Sequence, residues 1–280
     1  MIERGILSLW TRTPQFRIRR GALLIQTLAV CLANRVFPET GLVTDARGLT
    51  LAALLGWRFT DTSTALDDCP TDGFEHIWAL GKLYAATLQN RPFLQFDGDV
   101  HIFEPLPGAL LSAPILAQSP DFPEFYLGAD MASAFAIGER AEPVTAYNAG
   151  LVGGSDLALV KSYAWSGIDL ARRFRRCALN GTTTSMFVEQ YALGLFAQRA
   201  GVPVATLYSE PVRDPDLLPG YLHLTGELKQ DPERIASAEA QLGDEFPEEY
   251  QRFLRGWDYL SHPHLRALDG LANAVEVRCP

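Results

Sequence analysis

Short apolar runs alternate along this chain with longer segments whose apolar positions recur at helical spacing. Ile6–Trp10 reads as a strand and residues 21–34 as a helix. Gly41–Asp45 is a second strand ending in an acid, Leu49–Leu55 a short helix, and the stretch near Phe59 another short strand. Ile77, Leu80, Tyr84 and Leu88 stand near helical spacing within 74–89. Pro92 then opens an apolar strand over Phe93–Asp97. Further on, Val144–Val152 enters Gly153-Gly154, and Ser155 and Asp156 offer caps for a helix running to about Arg173. Ser185–Ala200 reads as a helix stopped by Gly201, and Val202–Leu207 as a returning strand. Two more helices follow Pro232, the second opened by Pro247. The proline-rich stretch 104–123 wraps the fold, with a short helix near 108–117. Such alternation predicts an α/β domain around a mostly parallel central sheet, closed by C-terminal helices. Ligands of such folds bind at the carboxyl ends of strands, where Asp45 and Asp97 both fall.

Composition narrows the function classes. The chain has 280 residues, 48% hydrophobic and 20% charged, enough for one full core, and it carries no internal repeat or linker. A net charge of −9 argues against a nucleic-acid partner. Arginines cluster at Arg12, Arg17, Arg19 and Arg20 and again at Arg172, Arg173, Arg175 and Arg176, which read as solvated faces. Cys31, Cys69, Cys177 and Cys279 lie far apart without a Cys-x-x-Cys pair, so reduced thiols in a cytoplasmic protein are expected. The apolar run 22–32 is too short to span a bilayer and carries Gln26, so it reads as a buried helix and no transmembrane segment is expected.

Two segments carry candidate chemistry. In Phe96-Asp97-Gly98-Asp99 the alternation of side chains puts both carboxylates on one face, and Gly98 leaves room for a ligand near the backbone. Two hard carboxylates on one face suit a divalent cation. The plain alternative is a chance pair, and Asp214-Pro215-Asp216 is read that way, as a solvated loop. The second segment is Tyr221-Leu222-His223-Leu224-Thr225-Gly226-Glu227-Leu228-Lys229. A neutral imidazole at His223 suits Mn²⁺ beside carboxylates, Gly226 lets the backbone approach a phosphate, and Lys229 supplies a point charge. The plain alternative there is a surface strand with an exposed histidine.

Taken together, Asp97-Gly98-Asp99 and His223-x-x-Gly226-x-x-Lys229 resemble GT-A-fold glycosyltransferases, closest to the retaining family 8 type that includes glycogenin and bacterial galactosyltransferases. Tyr147-Asn148-Ala149-Gly150 resembles that family's Asn-x-Gly strand, Glu189-Gln190 its Asp-Gln helix, and Gly81-Lys82 its basic residue before the Asp-x-Asp strand. The plain alternatives are turn chemistry for Asn148, an exposed helix face for Glu189-Gln190 and a solvated surface lysine for Lys82. The chain departs from the pattern in having Glu at 189 and in continuing Gln230-Asp231-Pro232 after the lysine, where the family has Pro-Trp. The resemblance implies a single GT-A-like, Rossmann-related domain over 1–280. Its nucleotide-binding part would be about 1–103, its acceptor and metal-closing part about 104–230, and its C-terminal helical segment about 231–280. It implies Mn²⁺ or Mg²⁺ on Asp97, Asp99 and His223. Lys82, Asn148, Gly226 and Lys229 would bind substrate, and Gln190 and Glu189 would stand at the reacting carbon. The donor would be a nucleotide sugar, a UDP-sugar first among them, and the acceptor stays unnamed. Trp10 either stacks on the nucleobase or packs in the core. The competing readings are a metal-dependent nucleotidyltransferase or phosphohydrolase, and a nucleotide-sugar-binding protein without catalysis.

Overall fold

The structure, a computed structural model, describes residues 1–71, 73–126, 144–173, 181–212 and 220–262. Two compact units are each assembled from three separate stretches of chain. One comprises Met1–Glu3, Asp68–Phe96 and Leu106–Arg213, the other Arg4–Asp67, Asp97–Pro105 and Asp214–Pro280.

In the second of these, Arg4–Leu9 (β1), Glu39–Thr44 (β2) and Asp61–Ser63 (β3) form a parallel ladder, with Ile6 opposite Gly41 and Leu42 opposite Thr62. The expected N-terminal helix is Arg20–Val36 (α1), whose apolar residues are buried on most sides. It packs on Val100–Ile102 (β5) and on the C-terminal helices described below. A helix apolar around most of its girth is a core helix, as the sequence predicts for this stretch. Ala46–Leu54 (α2) is capped by Asp45, whose carboxylate accepts from Gly48 N, Thr11 N, Thr11 Oγ1 and Arg12 N at 2.7 to 3.1 Å. Asp45 is therefore engaged on the loop after β1 rather than offered to a ligand. Tyr221–His223 (β9) pairs antiparallel with β5. Pro232–Glu245 (the eighth α-helix among the described residues, α8) and Pro247–Ser261 (α9) each begin with proline in the first turn, and Asp231 caps α8. Arg20 of α1 pairs with Glu239 of α8, so this member of the arginine cluster is ion-paired as well as partly solvated.

In the other unit Phe93–Phe96 (β4), Leu116–Pro120 (β6), Tyr147–Gly154 (β7) and Ala205–Thr206 (β8) run in the order β4-β7-β6-β8. The β7 ladders are antiparallel and β6/β8 is parallel. With β1/β2 and β2/β3, parallel ladders outnumber antiparallel ones on these seven strands, and the fold class is α/β as expected. The helices are Ala79–Thr87 (α3), Gly108–Leu111 (α4), Leu157–Arg173 (α5), Gly181–Met186 (α6) and Ala192–Ala200 (α7). A π-helical turn, Phe187–Tyr191, joins α6 to α7. Helix α5 packs against both α3 and α7. Gly153 is required by close approach: a Cβ there would lie 2.1 Å from the Phe93 carbonyl oxygen.

The helix expected near 108–117 is only α4, and the residues after it form β6 instead. Pro114 ends helical propagation, and β7 offers Leu116 and Ala117 ladder partners that no local pattern announces. Among the described residues no helix is long and apolar enough to cross a membrane.

Candidate functional site

The acidic cluster is built by a turn and a two-strand ladder. After β4 the chain turns, with Val100 N donating to the Asp97 carbonyl at 3.0 Å. In the β5/β9 ladder Val100 stands opposite His223, and Leu224 N donates to the Asp99 carbonyl at 3.0 Å. That register carries a histidine from more than a hundred residues downstream to the aspartates. One ligand atom from each of Asp97, Asp99 and His223 lies within 4.8 Å of the others. His223 Nε2 is 3.4 Å from Asp99 Oδ1, and Lys229 Nζ donates to Asp99 Oδ2 at 2.5 Å. His223 is buried, which excludes the exposed surface histidine.

The electrostatics follow from this geometry. Burial pushes the Asp99 carboxyl up, but the Lys229 ammonium and the His223 hydrogen bond outweigh it and hold Asp99 well below the usual carboxylate range. Burial lowers Lys229 in turn, and Asp99 outweighs that, so its ammonium is held above its ordinary value. Lys229 comes from the 3-10 turn Gly226–Gln230, which Gly226 enters with φ +57°. Two carboxylates and one imidazole form a hard-to-borderline donor set that fits Mn²⁺ or Mg²⁺.

Gly98 has a different reason from the one expected. A Cβ there would lie 2.7 Å from Cγ of Gln26 on α1. The missing side chain admits a helix residue, while Asp97 and Asp99 converge with His223. His101 was not singled out by sequence. It is buried, with Nε2 3.1 Å from the Ile25 carbonyl, and burial pushes its pKa down to about 4. As a neutral ring it ties β5 to α1. Trp10 is buried, in keeping with core packing, and its Nε1 has no hydrogen-bond partner among the described residues.

The remaining site residues meet in the other unit. Lys82 on α3 is 2.8 Å from Glu189 Oε1 on the π-helical turn and donates to the Ala149 carbonyl. Both side chains are buried, so neither the solvated lysine nor the exposed glutamate describes them. Gln190, half-buried, has Oε1 2.6 Å from the Tyr126 hydroxyl, which also lies 2.6 Å from Asp121 Oδ2. Asn148 Oδ1 accepts from Gly150 N at 2.9 Å, a local bond of the kind the turn alternative required. Tyr126 and Asp121 carry no sequence motif, and only the tertiary contact reveals them. Asp214, Asp216, Cys177, Cys279, Arg175, Arg176 and Asn180 lie outside the described residues.

No curated protein matches this chain. Among solved structures, it is similar to an active-site mutant of LgtC, at 11% identity and a TM-score of 0.48, over 85% of this chain and 95% of that one. It is also similar to galactosyltransferase LgtC in complex with donor and acceptor sugar analogs, at 11% identity and a TM-score of 0.41, over 84% of this chain and 95% of that one. A family model matches residues 19–255, and the chain belongs to that family, described as a family of unknown function (DUF6734).

Proposed function

We propose that this chain is a metal-dependent glycosyltransferase that moves a sugar from a nucleotide-sugar donor, a UDP-sugar, to an acceptor with retention of configuration. The observation that carries this reading is the convergence of Asp97, Asp99 and His223 within 4.8 Å beside Lys229. Asp97, Asp99 and His223 would hold Mn²⁺ (or Mg²⁺), which when bound supplies Lewis-acid stabilisation of charge on a leaving diphosphate. Two like unit charges about 4 Å apart repel by about 4 kcal/mol at an effective dielectric near 20, so a diphosphate would approach these carboxylates only with cations in place. Lys229 would add a second positive charge to the diphosphate, and the left-handed turn at Gly226 carries it there. Glu189 is committed to Lys82, which leaves Gln190 to face the sugar carbon, where an amide orients and polarises but does not transfer protons. The amide nitrogen of Asn148 is the end that would donate to a sugar hydroxyl, since its oxygen is held by Gly150. In this reading 1–280 is one catalytic domain in a cytoplasmic protein, with a nucleotide-binding part over about 1–103 and a C-terminal helical segment over about 231–280.

The test is a thermal-shift screen of UDP, GDP, CDP and their sugars with and without Mn²⁺. A nucleotide at about a hundred times its Kd adds about 2.7 kcal/mol of stability. The expected result is a rise in Tm with UDP or a UDP-sugar only when Mn²⁺ is present, lost in Asp99→Ala while that variant still melts cooperatively. A nucleotide response that persists in Asp99→Ala with chelator overturns the assignment, as does no response to any nucleotide. Release of UDP from the donor, rather than pyrophosphate, separates glycosyl transfer from nucleotidyl transfer.

A further inference from the structure

Tyr126 has one hydroxyl proton and two oxygen neighbours at 2.6 Å, Asp121 Oδ2 and Gln190 Oε1. One proton cannot bridge both contacts, and an oxygen pair at that distance without a proton repels. The carboxylate is the stronger acceptor because it carries charge. Its other oxygen is oriented by Phe122 N, at 2.8 Å. Burial and the Asp121 charge also push the Tyr126 phenol pKa up, so the phenol stays protonated and donates its hydrogen bond to Asp121. The Gln190 contact must then be made by a donor, and the amide has one. Oxygen and nitrogen of a glutamine amide are nearly the same in outline, so the hydrogen-bond network decides which faces where.

We infer that Asp121 and Tyr126 clamp the Gln190 amide with its nitrogen toward Tyr126, so that the carbonyl oxygen faces the opposite way. This deepens the glycosyltransferase reading and rests on it. The freed Oε1 is then a fixed negative dipole end, suited to a sugar ring that gains positive charge as the bond to the diphosphate breaks. The π-helical turn that carries Gln190 is a form found disproportionately at functional sites. Tyr126 and Asp121 are positioning residues here, since both act through Gln190.

The experiment labels glutamine side-chain amides with ¹⁵N and assigns the Gln190 signal by its loss in Gln190→Leu. The expected result is a Gln190 amide whose protons exchange with water at least about tenfold more slowly than in Tyr126→Phe. With the UDP-sugar that gives the largest thermal shift, donor hydrolysis in Tyr126→Phe should fall about tenfold in kcat while KM stays within about twofold. Asp121→Asn, which still offers an acceptor oxygen to Tyr126, should restore most of what Asp121→Ala loses. A wild-type Gln190 amide exchanging as fast as in Tyr126→Phe overturns the inference, as does an unchanged kcat in that variant. If Tyr126→Phe does not fold, the Asp121→Asn and Asp121→Ala pair decides, and equal amide exchange in the two overturns it. The exchange readout needs no substrate, so loss of the glycosyltransferase reading would be seen separately, as absent nucleotide binding.

Discussion

Lys229 already neutralises the carboxylate that would carry a metal, with its ammonium 2.5 Å from Asp99 Oδ2. A divalent cation at the proposed site would therefore compete with this lysine for Asp99 in the nucleotide-free protein, and would cooperate with it once a diphosphate gave the lysine a second place to go. Lys229→Met should bind Mn²⁺ alone several-fold more tightly than the wild type, and bind it more weakly when UDP is present. Calorimetric or EPR titration of Mn²⁺ with and without UDP checks both signs, and equal affinity of the two proteins in both conditions contradicts the competition. Each charge here acts over a few ångströms in a partly buried place, where screening by water is weak. At this scale the residue types were readable from sequence because a cation site would need them. The reason for Gly98 was not, since it belongs to Gln26 on a helix some seventy residues earlier.

At the scale of elements, the strand β7 is tied to β4 on one side and β6 on the other, with Gly153 opposite both Leu94 and Leu116. A methyl group at 153 would press on the Phe93 carbonyl at 2.1 Å, and backbone on both sides leaves it nowhere to move. Gly153→Ala should cost about 1–3 kcal/mol of stability, the usual range for overpacking a filled core. Urea denaturation measures it, and a loss below about 0.5 kcal/mol, the size of an ordinary surface change, would show that the ladder yields. The glycine pair was visible in the sequence, yet its role as a spacer between strands needed the register. The helices were easier: Asp231-Pro232 and Pro247 announce their own starts because capping and the missing proline N–H act locally. Strands β5 and β6 escaped because their partners are distant in sequence.

For the whole molecule, α1 couples the buried thiol of Cys31 to global stability. Burial, and to a lesser degree the charge of Glu249, push its pKa up from 9.0 to about 12. The folded state thus holds the proton where the unfolded chain releases it. The contribution is complete below about pH 9 and is lost as pH rises toward 12. Between about pH 8 and pH 10 the stability advantage of the wild type over Cys31→Ala should shrink by about 1 kcal/mol. Comparing the two proteins by urea denaturation at both pH values removes every other titrating group from the difference. A constant difference would mean that the thiol ionises as readily folded as unfolded. The same burial should make Cys31 slow to react with iodoacetamide at about pH 8, followed site by site by mass spectrometry.

The sequence by itself determined the α/β alternation, the buried character of the first helix and the starts of the last two, and it singled out the residue types of a candidate cation site. These are local properties, since period, proline position and ligand chemistry are written within a few residues. The tertiary structure decided which residues meet. It set His223 against Asp99 through a three-residue ladder, sank Lys82 and Glu189 into a buried pair, withdrew Asp45 into a helix cap, and brought Tyr126 to Gln190. Such contacts depend on strand register and helix packing, which sum weak interactions over the whole chain and leave no mark at the residues they bring together.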